Sequence, residues 1–103
     1  MSHQKRVDAN QSEIVNLFRQ LGARVYVASG VGGGFPDLVI QYHFPQRRWH
    51  SLETLLVEIK DGSLSPSRRQ LTAEQKVFHS IFNCHIVECE DDVYTLLGIN
   101  KGD

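Results

Sequence analysis

Glu58 and Lys60 stand two residues apart in "LLVEIK", Leu55 to Lys60. Side chains alternate across a strand, so this carboxylate and ammonium share one face while Val57 and Ile59 take the other. Burying two charges at the end of an apolar strand is costly unless they pair or bind something. Taken alone, the two make a structural ion pair. A second acid widens the chemistry. Asp37 stands in "GFPDLVI", Gly34 to Ile40, at the mouth of another apolar strand. If the two strands form a hairpin, Asp37 and Glu58 come side by side. Neighbouring carboxylates repel unless a cation lies between them. An oxygen-only set suits Mg²⁺ or Mn²⁺, with water in the remaining positions. A lysine beside such a pair can position or activate water, and the cation offsets charge developing on a phosphate. Acid, acid and lysine around a hard cation is the chemistry of phosphodiester hydrolysis.

The elements that must position these residues are legible from periodicity. Residues 10–21 carry Ile14, Leu17, Phe18 and Leu21 at helical spacing, with Asn10 or Ser12 to cap the start and Gly22 to stop it. "ARVYVAS" alternates as a strand, and "GVGGG" is a loop. "PDLVIQYH" is the second strand, with Pro36 tolerated only at its entry. "ETLLVEIK" is the third, and the tight order predicts antiparallel neighbours. After the turn-rich "DGSLSPSRRQ" comes a second helix, "LTAEQKVFHSIFN". Thr72 and Gln75 form a capping box there, and Phe78, Ile81 and Phe82 are its expected buried face. "HIVEC" is a short fourth strand, and "DDVYTLLG" a closing helix with acids in its first turn. The order α-β-β-β-α-β-α describes an α/β sandwich around one small mixed sheet.

Composition sets the outer bounds. The 103 residues suit one domain, 1–103, with one core. No apolar run approaches the roughly 18 to 20 residues of a membrane span, and the N-terminus has no apolar signal-peptide core. The expected setting is intracellular. Net charge is −1, but residues 1–49 hold six Lys/Arg against three Asp/Glu and residues 50–103 hold five against nine. A local basic surface is compatible with that asymmetry. Cys84 and Cys89 match no zinc pattern and read as buried, reduced thiols.

With Pro36-Asp37 followed some twenty residues on by Glu58-Ile59-Lys60, the chain resembles the PD-(D/E)xK nucleases. "GFPDLVI", "LLVEIKDG" and "LTAEQKVF", in that order, resemble the VRR-NUC branch, the virus-type replication and repair nucleases. The resemblance runs from the first helix to the fourth strand. It implies a restriction-endonuclease-like α-β-β-β-α-β core, here with an added C-terminal helix. It implies Asp37 and Glu58 as metal-binding acids, Lys60 as the motif lysine, and the Ile59 carbonyl as a further metal ligand. Gln75 matches the helix glutamine beside the family's site, and Glu13 matches a first-helix glutamate that many branches direct to the metal. The implied activity is Mg²⁺- or Mn²⁺-dependent DNA cleavage leaving a 5′-phosphate and a 3′-hydroxyl. A homodimer in phage or bacterial replication, repair or recombination is implied too, with branched or flapped DNA as substrate. RNA cleavage, and a non-catalytic binding module keeping the fold, are the alternatives.

Other residues have two readings each. Gln75 is a cap or a site residue; capping alone tolerates glutamate without loss of stability. Glu13 flanks its helix's apolar stripe and is either solvated or turned to the site. Arg47, Arg48 and Trp49, at a hairpin tip, and Arg68 and Arg69, in the loop between Lys60 and Gln75, are candidate DNA contacts or solvated turns. "GVGGG" lacks the Lys-Ser/Thr of a phosphate loop, and no organic cofactor is expected; its glycines suit backbone approach to a bulky substrate or a tight turn beside Asp37.

Overall fold

Ile14, Val15, Leu17 and Phe18 fall on one side of a helix, and that side is what α1 (Gln11–Gln20) buries. Gly22 follows with φ +98°, the left-handed conformation that ends a helix cheaply. The computed structural model describes residues 7–45, 47 and 51–102. After α1 come β1 (Arg24–Val27), β2 (Leu38–His43), β3 (Leu52–Ile59), a 3₁₀ turn (Pro66–Arg68), α2 (Ala73–Ile81), β4 (Cys84–Val87) and α3 (Glu90–Leu97). The expected order α-β-β-β-α-β-α is observed, with the 3₁₀ turn as an addition. No helix among the described residues is long and apolar enough to cross a membrane.

The sheet has the order β1-β2-β3-β4. The first two pairings are antiparallel, β2 against β3 running from Leu38↔Val57 to His43↔Leu52. β4 lies parallel to β3, from Leu56↔Cys84 to Ile59↔Val87, which requires the crossover that α2 occupies. One face carries Leu38, Ile40, Val57, Ile59 and Val87, all buried against Ile14 and Phe18 of α1 and Val93 and Leu97 of α3. Each such side chain stabilises by about 2 kcal/mol when fully buried. This layer therefore holds the fold, and Glu58 lies on the opposite face of β3.

α2 sits on that other side and packs differently from expectation. Of its nine residues only Gln75 is buried. Phe78 stacks edge-on against Phe35, ring centroids 5.4 Å apart, while Ile81 and Phe82 are exposed, Ile81 to 68%. The expected face Phe78/Ile81/Phe82 is thus wrong for two of its three members. An apolar stripe shows which side of a helix prefers burial; the helix is held here by its first turn, and the stripe runs out past the protein's edge. The thiol expectation is also corrected. Both cysteines are free, but Cys84 is half-buried and Cys89 exposed, because Cys89 lands on the N-cap of α3 and not in the strand.

The first turn of α2 is pressed against the glycine loop. A Cβ on Gly34 would stand 2.4 Å from the Glu74 carbonyl oxygen, and Gly34 has φ +85°. Gly33, at φ +65°, faces open space. Both alanine variants carry the left-handed strain, and only Gly34→Ala adds the collision. We expect urea denaturation to show about 1 kcal/mol lost for Gly33→Ala and about 2–3 kcal/mol for Gly34→Ala. Equal losses would mean that the contact with α2 yields freely.

Candidate active site

Leu38↔Val57 is the last pair between β2 and β3, so the next step along both strands sets Asp37 against Glu58 on one face. Both carboxylates are buried, Asp37 to 1% exposure and Glu58 to 0%. Asp37 Oδ2 accepts a hydrogen bond from the Ile59 amide at 2.8 Å. β2 has ended by that point, and the Asp37 side chain takes the place of its next carbonyl. An acid at the strand mouth therefore satisfies a buried backbone donor as well as standing beside Glu58.

Lys60 is buried just past the end of β3, its amide donating to Val87 O at 3.0 Å. Its ammonium donates to Gln75 Oε1 at 2.9 Å, and Gln75 Nε2 donates to Glu58 Oε2 at 3.2 Å. One carboxamide thus spans the motif acid and the motif lysine. The same Oε1 accepts from the Thr72 amide at 2.9 Å, while the Gln75 amide donates to Thr72 Oγ1 at 3.2 Å. The capping box and the bridge to β3 are one network, so the two readings of Gln75 are not alternatives.

The remaining candidates divide. Glu13 is exposed and lines a surface pocket with Asn10, Asp61 and Glu88. Among the described residues no three His, Cys, Asp or Glu side chains gather as a metal cage, so Glu13 does not join Asp37 and Glu58. Gln11 precedes Ile14, Val15 and Phe18 by three, four and seven residues and turns inward, while Glu13 does not. Arg69 Nη1 is bound to Glu88 Oε2 at 2.6 Å, and Arg68 is exposed. Arg47 pairs with Glu53 and lies over the Phe44 ring. It follows the far end of β2, about 20 Å of strand from Asp37. Arg48 and Trp49 lie outside the described residues.

Two residues escaped the sequence reading. Ser29 Oγ donates to Gln11 Oε1 at 2.9 Å, and both are buried. Ala28, next to Ser29, donates its amide to the Asp37 carbonyl at 2.7 Å, so this neutral pair adjoins the Asp37 segment. The signal for Gln11 was its place in the α1 stripe; Ser29 had none. Cys84, opposite Leu56, also shares the Glu58 face. Burial pushes its thiol pKa up, and the Glu58 carboxylate adds to that.

Asparagine keeps an oxygen for the Ile59 amide and alanine does not. Asp37→Ala should cost about 1–3 kcal/mol in denaturant titration, and Asp37→Asn clearly less. The geometry also reverses the capping expectation for Gln75. Glutamate there would lose the donor to Glu58 and set two buried carboxylates together. Gln75→Glu should melt below wild type without metal and regain part of the difference in Mn²⁺; unchanged melting would show that the bridge to Glu58 contributes nothing. Comparison with known protein families, with curated proteins and with solved structures finds no match to this chain.

Proposed function

We propose that this protein is a divalent-metal-dependent deoxyribonuclease of the PD-(D/E)xK type, closest in pattern to the VRR-NUC branch. The observation that carries the reading is the single buried cluster of Asp37, Glu58, Lys60 and Gln75. Asp37 also serves the Ile59 amide, yet two buried carboxylates side by side repel unless a cation lies between them. The donor set also suits the cation. Mg²⁺ dehydrates reluctantly and typically takes one or two protein carboxylates, keeping water and substrate phosphate for the rest. Asp37, Glu58 and the Ile59 carbonyl are the groups that would hold it.

When bound, Mg²⁺ or Mn²⁺ supplies positive charge against the phosphate. The chain's own residues do the rest. Gln75 fixes Glu58 and Lys60 relative to each other. The Lys60 ammonium orients the attacking water or meets a phosphate oxygen. Water attacks phosphorus, the P–O3′ bond breaks, and the O3′ oxygen takes a proton, leaving a 5′-phosphate and a 3′-hydroxyl. Arg68, exposed in the loop beyond Lys60, is the phosphate contact of choice. One domain of this size offers little contact area, so the acting form is a homodimer. Branched or flapped DNA is the substrate class, in phage or bacterial replication, repair or recombination inside the cell.

The test is cleavage of linear, flapped and four-way DNA, and of RNA, with and without Mg²⁺ or Mn²⁺. Folded Asp37→Asn should lose activity about 10²-fold or more. Lys60→Met keeps much of the stem volume and should lose turnover by about 10²-fold while metal binding, read by calorimetry, is largely kept. Full activity in Asp37→Asn would remove it from the site. Wild-type protein that binds DNA but cleaves nothing would make the chain a non-catalytic module.

A further inference from the structure

Asn10 occupies the N-cap of α1, yet its side chain bonds no amide of that helix. Its Nδ2 donates instead to two carbonyl oxygens, Lys60 O and Glu88 O, both at 3.2 Å. Carbonyls only accept, so the amide nitrogen is the atom that faces them. The last pair of β3 and β4 is Ile59↔Val87, and Lys60 and Glu88 are the next residues on each strand. Asn10 therefore joins the strands one step beyond their ladder. Glu88 is held from other sides as well: its amide by Asp92 Oδ2 at 2.8 Å, its carboxylate by Arg69, and its carbonyl also by the Gly62 amide at 3.0 Å. Against that anchored residue, the Asn10 amide fixes Lys60.

We propose that Asn10 is a positioning residue for Lys60, its amide stapling the Lys60 carbonyl to Glu88 where β3 and β4 part. Lysine has a flexible four-carbon stem, so holding its ammonium on Gln75 defines a position only if its backbone is held too. A favoured cap residue has been spent on this contact. Its Oδ1 is buried with no partner among the described residues, a cost that capping α1 would have avoided.

The rate part of the test rests on the nuclease reading; the labelling part does not. Asn10→Ser and Asn10→Asp both put a residue suited to a helix start at position 10, and both remove the amide N–H groups that meet Lys60 O and Glu88 O. Metal-free protein is labelled with acetic anhydride and each lysine followed by mass spectrometry. Lys60 should react about tenfold faster in both variants, while Lys76 and Lys101 keep their wild-type rates. Where DNA cleavage is measured, kcat should fall about tenfold with KM little changed. Wild-type labelling of Lys60 in both variants overturns the proposal, whatever the cleavage rate. Faster labelling of Lys76 and Lys101 along with Lys60 also overturns it, because the effect is then general loosening. If wild-type protein cleaves nothing, the nuclease reading fails and the Lys60 labelling still decides the role of Asn10.

Discussion

A strand that ends inside a protein leaves backbone groups that must find partners, and the end of β3 meets this constraint on both sides. β2 starts opposite Val57 and the last β3–β4 pair is Ile59↔Val87, beyond which the Lys60 and Gly62 amides still reach Val87 O and Glu88 O. Side chains finish the ladder. The Asp37 carboxylate takes the Ile59 amide, and the Asn10 amide takes the Lys60 carbonyl. The candidate site and backbone satisfaction thus share the same few residues. The candidate site stands where the sheet runs out and side chains take over from strands.

Charge is handled by the same economy. Glu58 is fully buried beside Asp37, and an environment of low polarity amplifies both their repulsion and any attraction to a cation. The Gln75 amide meets two of the demands at once, donating to Glu58 and accepting from Lys60. It does so from a helix whose start it also caps, so the placement of α2 and the orientation of the charged pair depend on each other. Gly34 completes the arrangement by letting the first turn of α2 approach at a distance no side chain permits.

Much of this was legible from the residues. Element order followed from periodicity, and the Asp37–Glu58 adjacency from strand parity plus the hairpin, because a period of two leaves no freedom about faces. Gln75 was legible through its capping box. What failed shares one cause. Amphipathic stripes rank residues for burial but do not say where a helix docks, so Ile81 and Phe82 were expected inside. Cap preference showed that Asn10 suits a helix start; nothing local showed that carbonyls 50 and 78 residues away would claim its amide. Ser29 was invisible for the same reason.

The sequence separations of these contacts bear on how the chain folds. Asp37 and Glu58 meet when the connection between β2 and β3 closes, a local event. Gln75 reaches Glu58 and Lys60, 17 and 15 residues away, across a crossover that becomes fixed only when β4 pairs in parallel. Asn10 bonds to Glu88 over 78 of the chain's 103 residues. Loop-closure entropy rises with separation, and non-local pairing of this kind is slow. The cluster is therefore complete only when the whole topology is in place. A hairpin formed ahead of the crossover would hold both acids together with neither the bridging amide nor the backbone staple.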